Sequence, residues 1–164
     1  MIFVTVGTHE QPFDRLLKCI DKMIEDGLIK EEVIVQKGYT DYVMKNCKSE
    51  KLLSYDDMQK YINDARIIIT HGGPASFISA LSINKIPIVV PRKEELNEHV
   101  NNHQLEFSKE VAKRMNNIIV AENDEELINS ILNYNKIVKK MNSNNYSNNK
   151  RFCEALLKEI DDIF

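Results

Sequence analysis

The chain has 164 residues, 43% hydrophobic and 29% charged with both signs mixed, and a formal net charge of -3. That is the composition of one folded globular domain, which excludes a disordered or fibrous chain, and the lack of a Lys/Arg tract argues against general binding to nucleic acid or an anionic membrane. Cys19, Cys47 and Cys153 are far apart, odd in number and free of any C-x-x-C pair, which argues against a disulfide framework or a zinc site and fits a reducing cytoplasm.

In chain order, MIFVTVGTHE has no basic segment ahead of its apolar residues, and no apolar run approaches the roughly 18 residues of a membrane span. Neither export nor insertion of the chain by itself is expected. Short β-branched runs predict strands at 2–6, 32–36, about 51–53, 66–70, 86–90 and 117–121. Phe13, Leu16, Leu17, Ile20, Met23 and Ile24 recur at helical spacing, as do Val100, His103 or Gln104, Phe107 and Val111. The acidic cluster at 123–126 reads as a helix start, because Asn123 is a cap residue with Glu126 three positions on. The polar stretch 141–149 predicts a linker before a last amphipathic helix at 150–164, with Phe152, Leu156, Ile160 and Phe164 on one stripe. Alternating short strands and helices predict a single α/β domain over 1–164, Rossmann-like, with a mostly parallel sheet and helices on both faces.

The segment ITHGGPASF stands at one strand-to-helix turn. Gly72 and Gly73 permit a tight turn and close approach of a ligand, and Pro74 suits the first helical position. Unpaired N–H groups around Ala75 and Ser76, the Ser76 hydroxyl and the helix dipole then form an anion site suited to a pyrophosphate, with His71 at its edge. A glycine turn that only joins strand to helix reads the same locally. Gly7 and Thr8 in GTHE form a second such turn, and both lie where open α/β sheets bind ligands.

In EHVNNHQLEF, His99 and His103 are four apart and share a helix face. A metal pair, a solvated polar face and a ligand site are the competing readings; no third ligand is evident, and H-V-N-N-H lacks the internal glutamate of a zinc-protease helix. The run of uncharged hydrogen-bonding side chains Asn101, Asn102, His103 and Gln104 favours a sugar.

VTVGTHEQPFDRLL, ITHGGPASF, and PIVVPR followed by EHVNNHQLEF, in this order, resemble the C-terminal donor-binding domain of GT-B glycosyltransferases. More narrowly they resemble the small catalytic subunit of two-chain N-acetylglucosaminyltransferases and its bacterial capsule and exopolysaccharide counterparts. The resemblance covers about 1–115 and implies half of a GT-B fold that binds a UDP-sugar. It places Gly72, Gly73, Pro74, Ala75 and Ser76 at the diphosphate, His103 and Gln104 at the donor hexose, and Gly7 and Thr8 at the inner edge of the cleft. His71, His99 and Asn102 join the donor site, and Arg92 would help the helix dipole to neutralise the departing diphosphate. Many relatives have a ribose-binding glutamate eight positions beyond the histidine of the turn; here that position is Ser79.

The implied reaction is inverting transfer of a hexose to a lipid-linked saccharide. No Asp-x-Asp occurs, so neither a metal nor another cofactor is expected. His9 or His71 could serve chemically as a base, but neither is assigned, and the acceptor base is expected on a partner: a membrane-anchored subunit that supplies the acceptor domain and holds this chain at the cytoplasmic side. A non-catalytic nucleotide-binding or activating partner of a separate transferase is the alternative. A sugar-nucleotide epimerase of related fold would need a second domain.

Overall fold

In the computed structural model, which describes residues 1–141, the apolar runs form a six-stranded sheet. Its strands are β1 (Ile2–Thr5), β2 (Val33–Gln36), β3 (Lys48–Glu50), β4 (Ile67–His71), β5 (Ile88–Val90) and β6 (Ile119–Val120), in the spatial order β3-β2-β1-β4-β5-β6. Every pairing is parallel, with Val4 opposite both Val35 and Ile69, and Thr70 opposite Val89. Strands covered on both faces need no polar alternation, which is why β1, β2 and β5 are buried along their whole length.

The helices are α1 (Asp14–Glu25), α2 (Tyr55–Asp64), α3 (Pro74–Leu81), α4 (His103–Met115), α5 (Asp124–Leu132) and α6 (Tyr134–Val138). On one face Val4, Val35, Ile69 and Val90 pack with Leu16, Ile20, Leu127 and Ile131 of α1 and α5. On the other, Phe3, Ile34 and Ile68 pack with Ile62 of α2 and Ala80 of α3, while Val89 packs with Phe77 of α3. This is the expected α/β architecture with helices on both faces. The expected helix start is present: Asn123 caps α5 by accepting from Glu126 N at 2.9 Å, and the Glu126 carboxylate accepts from Glu122 N, one residue ahead of the cap, at 2.8 Å.

Three expectations need correction. The third strand lies at Lys48–Glu50, not 51–53: it is an edge strand placed by pairing with β2, and Leu53 beyond it turns down onto Phe3 and Ile34. Helix α4 starts at His103, so Val100 is outside it and 67% exposed. The cause is local. The Asn101 and Asn102 side chains accept from His103 N and Glu94 N, holding the chain in a turn up to the helix start. His99 and His103 therefore share no helix face. The linker and last helix expected over 141–164 lie, apart from Met141, outside the described residues.

Sheet order reverses between β1 and β4, since their chains leave toward opposite edges. A crevice at the carboxyl ends of those two strands follows from this topology. Its far wall is α2, whose first turn is capped by Ser54 and whose last turn is held by the Lys85 ammonium, donating to the carbonyls of Ile62 (2.9 Å), Ala65 (2.6 Å) and Asn63.

Candidate functional site

The crevice is a cleft of about 400 Å³ lined by Thr5, Gly7, Thr8 and Gln36 at the sheet, Met58 and Ile62 of α2, and His71, Gly73–Ser76 and Ser79 along β4 and α3. Gly73 is the N-cap of α3 and Pro74 its first residue, so a helix N-terminus and its dipole point into the cleft. The Ser76 N–H, expected to be free, donates to Gly73 O at 3.1 Å, so an anion at this turn has to compete with that bond.

His71 is the last residue of β4, and its ring is enclosed by backbone. A Cβ on Gly73 would lie 2.4 Å from His71 Nε2, and one on Gly7, whose φ is +77°, 2.4 Å from His71 Cε1. Both turns must be glycine for the imidazole to sit between them. Burial, then the charge of Arg92, pulls the His71 pKa down to about 4, so the ring is neutral at physiological pH. His9 is also lowered, by burial first and then by His99 and Arg92. Its Nδ1 accepts from Gln11 N at 3.2 Å, which puts the proton of the neutral ring on Nε2. In that tautomer His9 is a donor toward a ligand rather than a base.

Arg92 is corrected from a diphosphate ligand to a buried tie beneath the site. It is fully buried, and Nη1 donates to Gln11 O (2.7 Å) and Glu98 O (2.9 Å) while Nη2 donates to Val6 O (2.9 Å). The guanidinium lies 4.8 Å above the Phe13 ring, and burial lowers its pKa to about 10, which leaves it charged. It joins the loop after β1 to the loop after β5, and the Arg15–Glu98 ion pair (3.0 Å) closes the same junction.

The remaining sequence candidates stand around this tie. His99 packs on His9 with ring centroids 4.7 Å apart rather than pairing with His103. Among the described residues no group of three or more His, Cys, Asp or Glu side chains is arranged to hold a metal ion. Asn102 caps α4 and is engaged with Glu94 N; His103 is exposed at the helix start. Gln104 approaches closest: its Cβ is 2.7 Å from where a Gly72 Cβ would be, and its Oε1 accepts from Arg92 N at 3.5 Å. Thus Gly7, Thr8, His71 and Gly73–Ser76 line the cleft as expected, Gly72 and Gln104 back it, and Arg92, His99, Asn102 and His103 do not form its walls.

Sequence reasoning missed Thr5, Gln36, Met58 and Ile62. The signal was available for α2, since Ser54 is a cap residue and Met58 and Ile62 are four apart.

The profile of the glycosyltransferase family 28 C-terminal domain matches residues 1–160. The chain is 34% identical over 123 residues to the UDP-N-acetylglucosamine transferase subunit ALG13 of Homo sapiens, covering 68% of this chain and 10% of that protein. It is 29% identical over 136 residues to the subunit of the same name from Yarrowia lipolytica, covering 76% of this chain and 66% of that protein. The chain thus spans a small part of the human relative and just under two thirds of the yeast one. Its fold is shared with the glycosyltransferase SnogD from Streptomyces nogalater (TM-score 0.51, 16% identity, 85% of this chain and 39% of that one) and with the spinosyn forosaminyltransferase SpnP (TM-score 0.55, 11% identity, 95% and 43%). At these identities the likeness concerns the fold. No described helix is long and apolar enough to cross a membrane.

Proposed function

Since the chain belongs to the glycosyltransferase family 28 C-terminal domain family, we propose that it is the UDP-sugar-binding subunit of an inverting two-component transferase that adds a hexose to a lipid-linked saccharide. The observation that carries this is the cleft itself: the N-terminus of α3 and the Gly7 turn converge at the carboxyl ends of β4 and β1, with the neutral His71 ring between them. The names of the human and Yarrowia relatives make UDP-N-acetylglucosamine the first donor to test; the capsule or exopolysaccharide setting comes from the sequence resemblance.

In the proposed reaction the acceptor hydroxyl attacks the anomeric carbon, the bond from that carbon to the UDP oxygen breaks, and UDP leaves with the electron pair. This chain stabilises the leaving diphosphate through the first turn of α3 and the Ser76 hydroxyl, with no metal. The base that takes the hydroxyl proton, the acceptor surface and the membrane anchor belong to a partner chain, which would hold this subunit at the cytoplasmic face. Titration calorimetry with UDP, ADP and GDP tests the donor reading. UDP should bind best; the absence of any uridine preference, with the chain alone and with its partner, refutes it.

A further inference from the structure

We infer that Lys85, which does not itself line the cleft, is a positioning residue for nucleotide binding: its ammonium ties the end of α2 to the end of α3 and so sets the spacing of the two helices that wall the cleft. This rests on the donor-site reading above.

The two walls are held very differently. Helix α3 follows β4 after only Gly72 and Gly73, and it buries Phe77 and Ala80 against the sheet. Helix α2 has one buried residue in ten, Ile62; Met58 and Tyr61 are half-buried, with the Tyr61 ring 5.8 Å from that of Phe3. A helix with so little apolar surface beneath it shifts at low cost unless its ends are fixed.

Both ends of α2 are fixed by polar contacts. Ahead of the start, Leu53 N donates to Gln36 Oε1 at 3.1 Å, and Ser54 caps the first turn. At the other end the last carbonyls have no partner within the helix. Lys85 Nζ takes three of them, donating to Ile62 O at 2.9 Å, Ala65 O at 2.6 Å and Asn63 O. Lys85 is itself placed by α3. Asn84 turns the chain in the left-handed region at φ 59°, and Lys85 N donates to Ala80 O at 3.1 Å. One side chain therefore reaches from the last turn of α3 to the last turn of α2. Ile62 belongs to both systems, since its side chain lines the cleft and its carbonyl is bound by Lys85. Displacement of that carbonyl displaces the wall.

A cation at a helix C-terminus also stabilises the helix, and a cap with no other role changes stability alone. The test separates the two by calorimetry with UDP and urea unfolding of the full chain, for the wild type, Lys85→Met and Lys85→Arg. Well below the unfolding midpoint, affinity reports the folded state. There Lys85→Met, which keeps the length of the side chain and loses its donors, should bind UDP about fivefold to tenfold more weakly. Lys85→Arg can still donate to several carbonyls and should return to within about threefold of the wild type. A lower urea midpoint with unchanged UDP affinity in Lys85→Met overturns the inference and leaves the donor-site reading standing. An affinity loss in Lys85→Arg as large as that in Lys85→Met overturns it too. Should Lys85→Met not fold, Lys85→Gln keeps one donor and should lose about threefold; unchanged affinity there has the same adverse meaning. If UDP does not bind the wild type, the donor-site reading itself fails and this inference falls with it.

Discussion

The ring of His71 occupies the space that a side chain at Gly73 would need: a Cβ on Gly73 would lie 2.4 Å from His71 Nε2, below any normal contact. Gly73→Ala therefore has to push the imidazole or the α3 turn aside. Nucleotide affinity should fall about tenfold or more, with a smaller loss of stability because Gly73 itself has an extended backbone. Gly7→Ala meets the same ring and also has to hold φ at +77°, so its stability loss should be larger, about 2 kcal/mol or more. Calorimetry and denaturant midpoints separate the two; unchanged nucleotide affinity in Gly73→Ala contradicts a ligand at this turn.

Arg92→Met should remove donors from the carbonyls of Val6, Gln11 and Glu98 and leave them buried without partners. The expected cost is about 3 kcal/mol, read from urea unfolding. Arg92→Lys should recover little, since one ammonium cannot span loops that the guanidinium fork joins. A loss under about 0.5 kcal/mol in both variants would show that the tie between the loops is dispensable.

Strands buried on both faces were readable because their apolar runs, Ile67–Ile69 for instance, have no other place to go. Lys48–Glu50 was not, because its position comes from the backbone of β2 rather than from its own polar side chains. The start of α4 was misread for a similar reason: Val100 keeps the helical period, but the Asn101 and Asn102 side chains compete for nearby backbone N–H groups. Within the site, glycines and proline at the two turns were legible since those positions demand them. Arg92 was not. A cation after Pro91 reads as a phosphate ligand until the fold brings Val6 and Gln11, far off in sequence, around its guanidinium.

The depressed pKa of His71 sets a pH dependence. Its ordinary value is 6.5 and its folded value about 4, so between these the unfolded chain binds the extra proton. Stability from this group is full above pH 6.5, declines as pH falls through that window, and has no further decline to give below about pH 4. His9, lowered by burial, His99 and Arg92, adds in the same direction. The buried Asp21 acts lower: burial raises its pKa, but hydrogen bonds from Tyr42, Lys45 and Asn46 prevail and hold it below 3.8, so its contribution is lost only in stronger acid. Thermal midpoints should therefore drop between about pH 7 and pH 4, and His71→Gln should flatten that drop. A flat wild-type profile over this range contradicts a neutral, enclosed His71.

Metal independence can be checked directly. If α3 and neutral donors stabilise the leaving diphosphate, saturating EDTA should leave turnover with the partner chain unchanged within about twofold. A loss restored by added magnesium or manganese would show that a cation shares that charge.

A variant at Gln104 tests whether recognition of the sugar is separate from that of the nucleotide. The Gln104 Oε1 accepts from Arg92 N at 3.5 Å, and the Gln104 Cβ presses on the Gly72 turn, so the side-chain amide is held beside the turn that leads into α3. Gln104→Ala should lower turnover of the UDP-sugar about tenfold to a hundredfold, the worth of one well-placed hydrogen bond, while UDP affinity changes little. His103 is exposed and can reach a ligand only from the rim, so His103→Ala should cost less than Gln104→Ala. Equal losses of UDP affinity and turnover in Gln104→Ala would instead assign this residue to the phosphate turn, through its packing on Gly72. Unchanged kinetics in both variants would make the start of α4 a solvated face and remove it from the donor site.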